Sequence, residues 1–312
     1  MEIVFDIERQ KEVTPKVVTV GFFDGVHLGH RFLIGEMQRI AREKGLKTAI
    51  VTFDEHPRKV LQSDYCPQLI TTKEEKIEEF ERLGVDYCYF LHFTPDMASM
   101  PAKNFMNELL KKAIGASVLL VGYDHRFGKG RGESLDEYVK YGEELGVEVL
   151  AVPPFLESDE ASSSSVVRRL ILDGKMEKAT TLLTRPYKIA GTVVSGFGVG
   201  REIGFPTANL QISADKILPP DGVYAVTVRV EQKPQAYAGM LYVGTRPTLN
   251  NGENKSVEVN IFDFNETIYN CKVTVEFIKR IRGDIRFNSV PALKEQLGKD
   301  KSEVLKILSR KS

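Results

Sequence analysis

Two histidines, His27 and His30, stand three residues apart in the string GFFDGVHLGH at residues 21–30. The string follows a short β-branched run and opens a helical pattern. A strand feeding a helix through a glycine-bearing turn aims backbone N–H groups and the positive helix end at the carboxyl edge of a sheet, where anions bind. Their spacing puts both imidazoles on one face of the first turn, and Gly29 between them lets a phosphate approach. Imidazoles so placed can donate hydrogen bonds to a nucleotide phosphate and follow its charge into the transition state. The same pair would also suit a metal ion or a helix cap; the strand-to-helix context favours the phosphate.

A second cluster is GFGVGREIGFPTANL at 196–210. Gly196, Gly198 and Gly200 alternate as in a dinucleotide fingerprint, but Pro206 falls where the helix of that fold would be running. The nucleotide loop Gly-x4-Gly-Lys-Ser/Thr is missing as well, since Gly128-Lys129-Gly130 and Gly174-Lys175-Met176 both lack the hydroxyl residue. A glycine loop over phosphates, followed by the Thr207 hydroxyl and the Asn209 amide oxygen, offers another route. Both are hard oxygen ligands suited to magnesium bridging phosphates.

The elements that must position these groups divide the chain in two. Up to residue 184, strand-like runs (KVVTVG, KTAIVTF, DYCYFL, SVLLVG, VEVLAV) alternate with helical stretches, which predicts a doubly wound α/β domain with a parallel sheet covered on both faces. From 185 to 312, five closely spaced strand-like runs separated by turns predict a small antiparallel β-barrel, ending in a helix from about Pro291. The four serines at 162–165 precede VVRRLILDG and predict a helix start.

The chain has 312 residues with 43 basic and 43 acidic side chains, hence no net charge, which argues against a nucleic-acid or anionic-membrane binder. The balance conceals an asymmetry: residues 1–184 hold 24 basic and 30 acidic groups, and residues 185–312 hold 19 and 13. No run approaches the roughly 18 apolar residues of a membrane span, and the acidic start is unlike a signal peptide, so a cytoplasmic location is expected. Cys66, Cys88 and Cys271 are scattered and odd in number, as in a reducing compartment.

The motif His-x-Gly-His in this setting is the signature of the nucleotidyltransferase superfamily. In order, GFFDGVHLGH, FDEHP (53–57), VGYDHRFGKGR (121–131), SSSVVRRLI (163–171) and KATTLLTRPYKIAG (178–191) resemble the bacterial bifunctional riboflavin kinase/FMN adenylyltransferase family. The PTAN string, GTRPTL (244–249), SVEVNIFDF (256–264) and IRGDIRF (281–287) extend the resemblance over essentially the whole chain.

The resemblance implies that riboflavin and ATP give FMN and ADP in the barrel, and that FMN and ATP give FAD and pyrophosphate in the α/β half, with Mg2+ assisting. On the adenylyl-transfer side it implies that His27 and His30 polarise the ATP phosphates, with Gly25, Gly29, Ser164, Ser165 and Arg168 around them. Asp24 would contact the nucleotide or assist magnesium, and Asp124 and Arg126 would line the flavin cleft. On the kinase side it makes Glu258 the base, Gly196, Gly198 and Gly200 the phosphate loop, Thr207 and Asn209 the metal ligands, and Arg282 and Asp284 neighbours of the isoalloxazine. The family usually has phenylalanine at His125, threonine at Ser165, often histidine at Asn260 and more often glutamate at Asp284. Position 260 should therefore not be essential, while Asp284 is one methylene short. His56, before a proline, reads as a structural turn residue. Two other readings stand beside this one: a nucleotidyltransferase acting on another phosphorylated acceptor, and a non-catalytic flavin-binding protein. A homo-oligomer is left open.

Overall fold

The computed structural model describes residues 1–7, 13–62, 64, 68–123, 126–157, 160–196, 199–246 and 254–309. These form two compact units, Met1–Ser164 and Ser165–Ser312.

The first unit begins with β1 (Glu2–Val4) and β2 (Lys16–Val20), followed by α1 (Leu28–Lys44), β3 (Lys47–Phe53), α2 (Pro57–Leu61), α3 (Lys73–Arg82), β4 (Tyr87–Leu91) and α4 (Pro95–Ser99). Then α5 (Ala102–Asn104) runs on as a π-helix over Phe105–Ile114, before β5 (Ala116–Gly122), α6 (Leu135–Leu145), β6 (Glu148–Val152) and the two-residue strands β7 (Leu156–Glu157) and β8 (Glu160–Ala161). Six strands make a parallel sheet in the order β1-β4-β3-β2-β5-β6. Five of them are the strand-like runs of the sequence. The sixth, β1, has three residues, too few to show a period, and exists by pairing with β4.

β2 is buried at every position because a core packs on each face of the sheet: Val18 and Val20 point into one, Val17 into the other. Helix α1 turns Ile34, Met37, Ile40 and Ala41 toward the second core and stops at Gly45, which adopts the left-handed conformation. α3 starts with a capping box, Thr72 accepting from the Glu75 N–H while the Glu75 carboxylate accepts from the Thr72 N–H. Cys88 is buried and Cys271 half-buried, both as free thiols; Cys66 lies outside the described residues.

The second unit holds most of α7 (Ser164–Leu172), then α8 (Met176–Leu183), β9 (Tyr187–Val194), α9 (Val199–Glu202), β10 (Ala208–Ile212), β11 (Gly222–Val230), β12 (Ala236–Arg246), β13 (Asn254–Ile261), β14 (Lys272–Gly283) and α10 (Val290–Ser309). Six strands close an antiparallel barrel in the order β10-β13-β12-β11-β14-β9, with β9 returning to β10. The alternation of β11 explains its central place. Tyr224, Val226 and Val228 are buried on one face, while Val223 and Ala225 on the other join Met240, Phe262 and Ile278 beneath Val304 of α10. The expected barrel and terminal helix are both present; the strand missing from the sequence reading is β10.

Candidate active sites

In the first unit, strand order reverses at β2, which lies between β3 and β5, so the turn after β2 opens at the topological switch point. That turn is strained. Phe23 (φ 54°) and Val26 (φ 43°) sit in the left-handed region beside Gly25 (φ 87°), at a cost of about 1–3 kcal/mol for each non-glycine residue. Burial and hydrogen bonds enforce it. Phe23 and Val26 are buried, and the Asp24 carboxylate accepts from Ile70 N (2.9 Å), Thr71 N (2.9 Å) and Thr71 Oγ1 (3.2 Å). Gly25 N donates to Thr71 Oγ1, and Ser164 Oγ donates to the Asp24 carbonyl at 2.8 Å. Lys76 Nζ donates to the Phe22 carbonyl at 3.2 Å and lies 4.1 Å from the Phe22 ring centroid.

This scaffold delivers the histidines. His27 precedes α1 with extended backbone and is almost fully buried, and its ring stacks on that of His30 with centroids 3.7 Å apart. Ser162 Oγ lies 3.4 Å from His27 Nδ1. At Gly29 a Cβ would stand 2.8 Å from the Ser162 carbonyl oxygen, so the position admits glycine alone without movement of backbone. The result is a helix N-terminus with two stacked imidazoles beside it, an arrangement able to take an anion and stabilise charge on it.

The sequence-predicted residues Asp24, Gly25, His27, Gly29, His30 and Ser164 therefore converge. Asp24 spends its carboxylate on the 70–71 segment, which makes shaping the turn its visible task. Ser165 follows Ser164 on α7, and Arg168 is one helical turn beyond Ser164. Arg126 follows β5 and donates to the Tyr123 carbonyl at 3.1 Å; Asp124 and His125 lie outside the described residues. His56 caps α2, its Nδ1 accepting from Arg58 N, with its ring edge-on to Phe22. Thr71 and Lys76 are absent from the sequence reading, and Ser162 enters it only as the first of the four serines at 162–165. Burial pushes the Lys76 ammonium down to about 8, against the pull of Asp24, Cys88 and Asp54; a lysine inside a run of charges carries no sign of that burial.

In the second unit, β10 and β13 pair antiparallel with Asn209 opposite Glu258, and β12 sets Tyr242 opposite Glu258 on its other side. Directly opposed residues share a sheet face, so the three stand in a row. The Glu258 carboxylate accepts from Ser256 Oγ at 2.9 Å, and Thr207 Oγ1 lies 3.4 Å from its other oxygen. Tyr242 donates to Asp284 at 3.1 Å; burial first, then the charges of Asp284, Asp221 and Glu258, push its phenol up to about 12.

Thr207, Tyr242, Glu258 and Asp284 line a cavity of about 270 Å3, whose apolar wall includes Phe205, Met240 and Leu297. Arg282 lines it too, held from behind by Asp300 of α10: Nε lies 2.9 Å and Nη2 2.8 Å from Oδ2. Gln296 also donates to Asp300. Neither partner could be read from sequence, because Asp300 looks like one more charge on a polar helix face. A smaller cavity of about 90 Å3, with Phe264 and Tyr269 in its wall, also meets Thr207.

The glycine loop passes close by. A Cβ on Gly200 would fall 2.4 Å from the Phe205 carbonyl oxygen, and Gly196 lies against the Asn209 amide; Gly198 is outside the described residues. Among the described residues there is no group of three or more histidine, cysteine or carboxylate side chains able to hold a metal. A hydroxyl and an amide next to one carboxylate nevertheless fit magnesium that draws its remaining ligands from phosphates and water.

A family model described as FAD synthetase matches residues 9–166, and one described as riboflavin kinase matches residues 183–308. The bifunctional riboflavin kinase/FMN adenylyltransferase of Bacillus subtilis (strain 168) is 39% identical over 306 residues, covering 96% of this chain and 95% of that protein. The protein of that name from Escherichia coli (strain K12) is 36% identical, covering 91% and 90%. A crystal structure titled as a macrolide-efflux protein from Streptococcus pneumoniae superposes with a TM-score of 0.87 at 35% identity, covering 96% of this chain and 97% of that one. Among the described residues no helix is long and apolar enough to cross a membrane. With both family models matched in order and relatives aligned almost end to end, the chain belongs to the bifunctional riboflavin kinase/FMN adenylyltransferase family.

Proposed function

We propose that this chain makes FAD in two steps, with residues 185–312 converting riboflavin and ATP to FMN and ADP, and residues 1–184 converting FMN and ATP to FAD and pyrophosphate. The observation that carries the kinase step is Glu258 facing Thr207 in the wall of a cavity large and apolar enough for a flavin ring. Because Thr207 also lines the smaller cavity, the hydroxyl to be phosphorylated and the ATP that phosphorylates it would meet there. Glu258 takes the proton from the terminal ribityl hydroxyl as its oxygen attacks the γ-phosphorus and the bond to ADP breaks. Thr207 and Asn209 would hold magnesium, which supplies positive charge to the transferring phosphate. Arg282 and Asp284, in the wall of the larger cavity, would meet the flavin, and the glycines at 196, 198 and 200 would serve as the phosphate loop.

In the adenylyl transfer a phosphate oxygen of FMN attacks the α-phosphorus of ATP directly and pyrophosphate leaves, so no covalent nucleophile is needed. The N-terminus of α1, His27 and His30 stabilise the charge that develops, with Ser164 as a further phosphate contact and Arg126 on the flavin side. Asp24 acts through the turn it holds. Both steps belong in the cytoplasm, where their nucleotide substrates are.

Protein incubated with riboflavin, ATP and magnesium, then chromatographed, should yield FMN and then FAD; unchanged flavin would sink the proposal. Glu258→Ala should abolish FMN formation and spare FMN-to-FAD conversion, with His30→Ala doing the reverse. Loss of both activities in either variant would refute two independent sites.

A further inference from the structure

Asn260 has no part in the chemistry above, yet its side chain is almost fully buried in the wall of the larger cavity. It lies two residues after Glu258 on β13 and so shares its face. Ser256, Glu258 and Asn260 form a column on that face, and each side chain is engaged: Ser256 with Glu258, Glu258 with Thr207, and Asn260 through Nδ2 with the Pro206 carbonyl at 2.6 Å.

Register explains why this last bond matters. β10 and β13 are paired from Ala208↔Val259 and Asn209↔Glu258. Continuing that register would set Thr207 against Asn260 and Pro206 against Ile261, but proline has no N–H to give the ladder. Main-chain pairing therefore ends one residue short of Thr207, the residue that must face Glu258. The Asn260 amide replaces the missing rung from the side. Its orientation is forced as well, because two carbonyl oxygens cannot approach to hydrogen-bond distance, so the nitrogen must face Pro206.

We propose that Asn260 is a positioning residue for riboflavin phosphorylation: by tethering the Pro206 carbonyl it holds Thr207 within reach of the Glu258 carboxylate, beyond the last rung of the strand pairing. This rests on the kinase reading of the barrel, and it gives position 260 a task that the expectation of a non-essential residue did not. What the position requires is a buried hydrogen-bond donor. Asparagine meets that need here, and histidine would meet it through a ring N–H.

The test compares Asn260→Leu, which keeps the volume and removes the donor, with Asn260→His. Riboflavin phosphorylation and FMN adenylylation are measured in each, together with magnesium–ADP affinity by calorimetry and amide exchange of the 205–210 segment. In the leucine variant kcat for phosphorylation should fall about tenfold, as expected for one lost buried hydrogen bond at a positioned group. Magnesium–ADP should bind more weakly, the segment should exchange faster, the riboflavin KM should change much less than kcat, and adenylylation should persist. The histidine variant should recover kcat and slow exchange. A leucine variant with wild-type kcat, magnesium–ADP affinity and exchange overturns the proposal, as does a histidine variant no better than leucine. Wild-type protein that forms no FMN refutes the kinase reading instead, while exchange and magnesium–ADP affinity still decide whether Asn260 holds the segment.

Discussion

The Arg282–Asp300 pair offers the sharpest energetic test of the barrel unit. The guanidinium reaches Asp300 through Nε and Nη2, and the two side chains are only 15% and 2% exposed, so water screens the attraction weakly. Asp300→Asn keeps the shape and removes the charge, leaving a nearly buried cation unpaired. Breaking such a pair costs about 3–5 kcal/mol; the cavity beside Arg282 admits some water, which places the expected loss near the lower end, at about 3 kcal/mol. For a unit of about 150 residues each kcal/mol moves the midpoint by roughly 2–4 °C, so its thermal transition should fall by about 6–12 °C. Calorimetry on the full chain, with adenylylation followed against temperature, separates the two units. The double variant Arg282→Met/Asp300→Leu should regain most of the loss, since removing both charges removes the buried imbalance. A shift below about 2 °C in the single variant, or a double variant as unstable as the single, would refute an energetically important pair.

Three further outcomes follow from the first unit. With Lys76 depressed to about 8 by burial, the unfolded chain binds the extra proton above that pH, so stability should rise with pH, by about 2 kcal/mol between about pH 7.5 and 9.5. Urea unfolding at both pH values should show this rise in wild type and lose that part of it in Lys76→Met; equal slopes would contradict the assignment. Gly29→Ala drives a Cβ into the Ser162 carbonyl and should cut adenylylation at least about tenfold with phosphorylation intact, whereas full activity would mean the helix start yields easily. Asp24→Asn turns an amide toward the buried Ile70 and Thr71 N–H groups and should destabilise this unit by about 2–3 kcal/mol in the same urea assay, with no change counting against the staple.

Much of the architecture is legible before any coordinates. The five β-branched runs between helical stretches form the parallel sheet with β1 added at its edge, and the turn-rich second half closes into the barrel. The elements that escaped are those whose existence depends on a neighbour. β1 has three residues, and β10 begins two residues after a proline and alternates weakly, so neither shows a period; they are strands because β4, or β9 and β13, supply their hydrogen bonds.

The sites divide the same way. Residue type and spacing by themselves singled out two candidate sites, two histidines at a helix start and a threonine and asparagine after a glycine loop, while Glu258 on a later strand was marked only by the family resemblance. Those signals are local, because a short window of sequence encodes turn, cap and face. Tertiary structure alone decided which polar groups are already committed. Asp24 is claimed by a segment 46 residues away, Arg282 by Asp300 on the terminal helix, and the Pro206 carbonyl by Asn260 54 residues downstream. A carboxylate, guanidinium or amide looks the same in sequence whether it awaits a substrate or is bound to its own chain, since only burial and the partner across the fold tell the two apart.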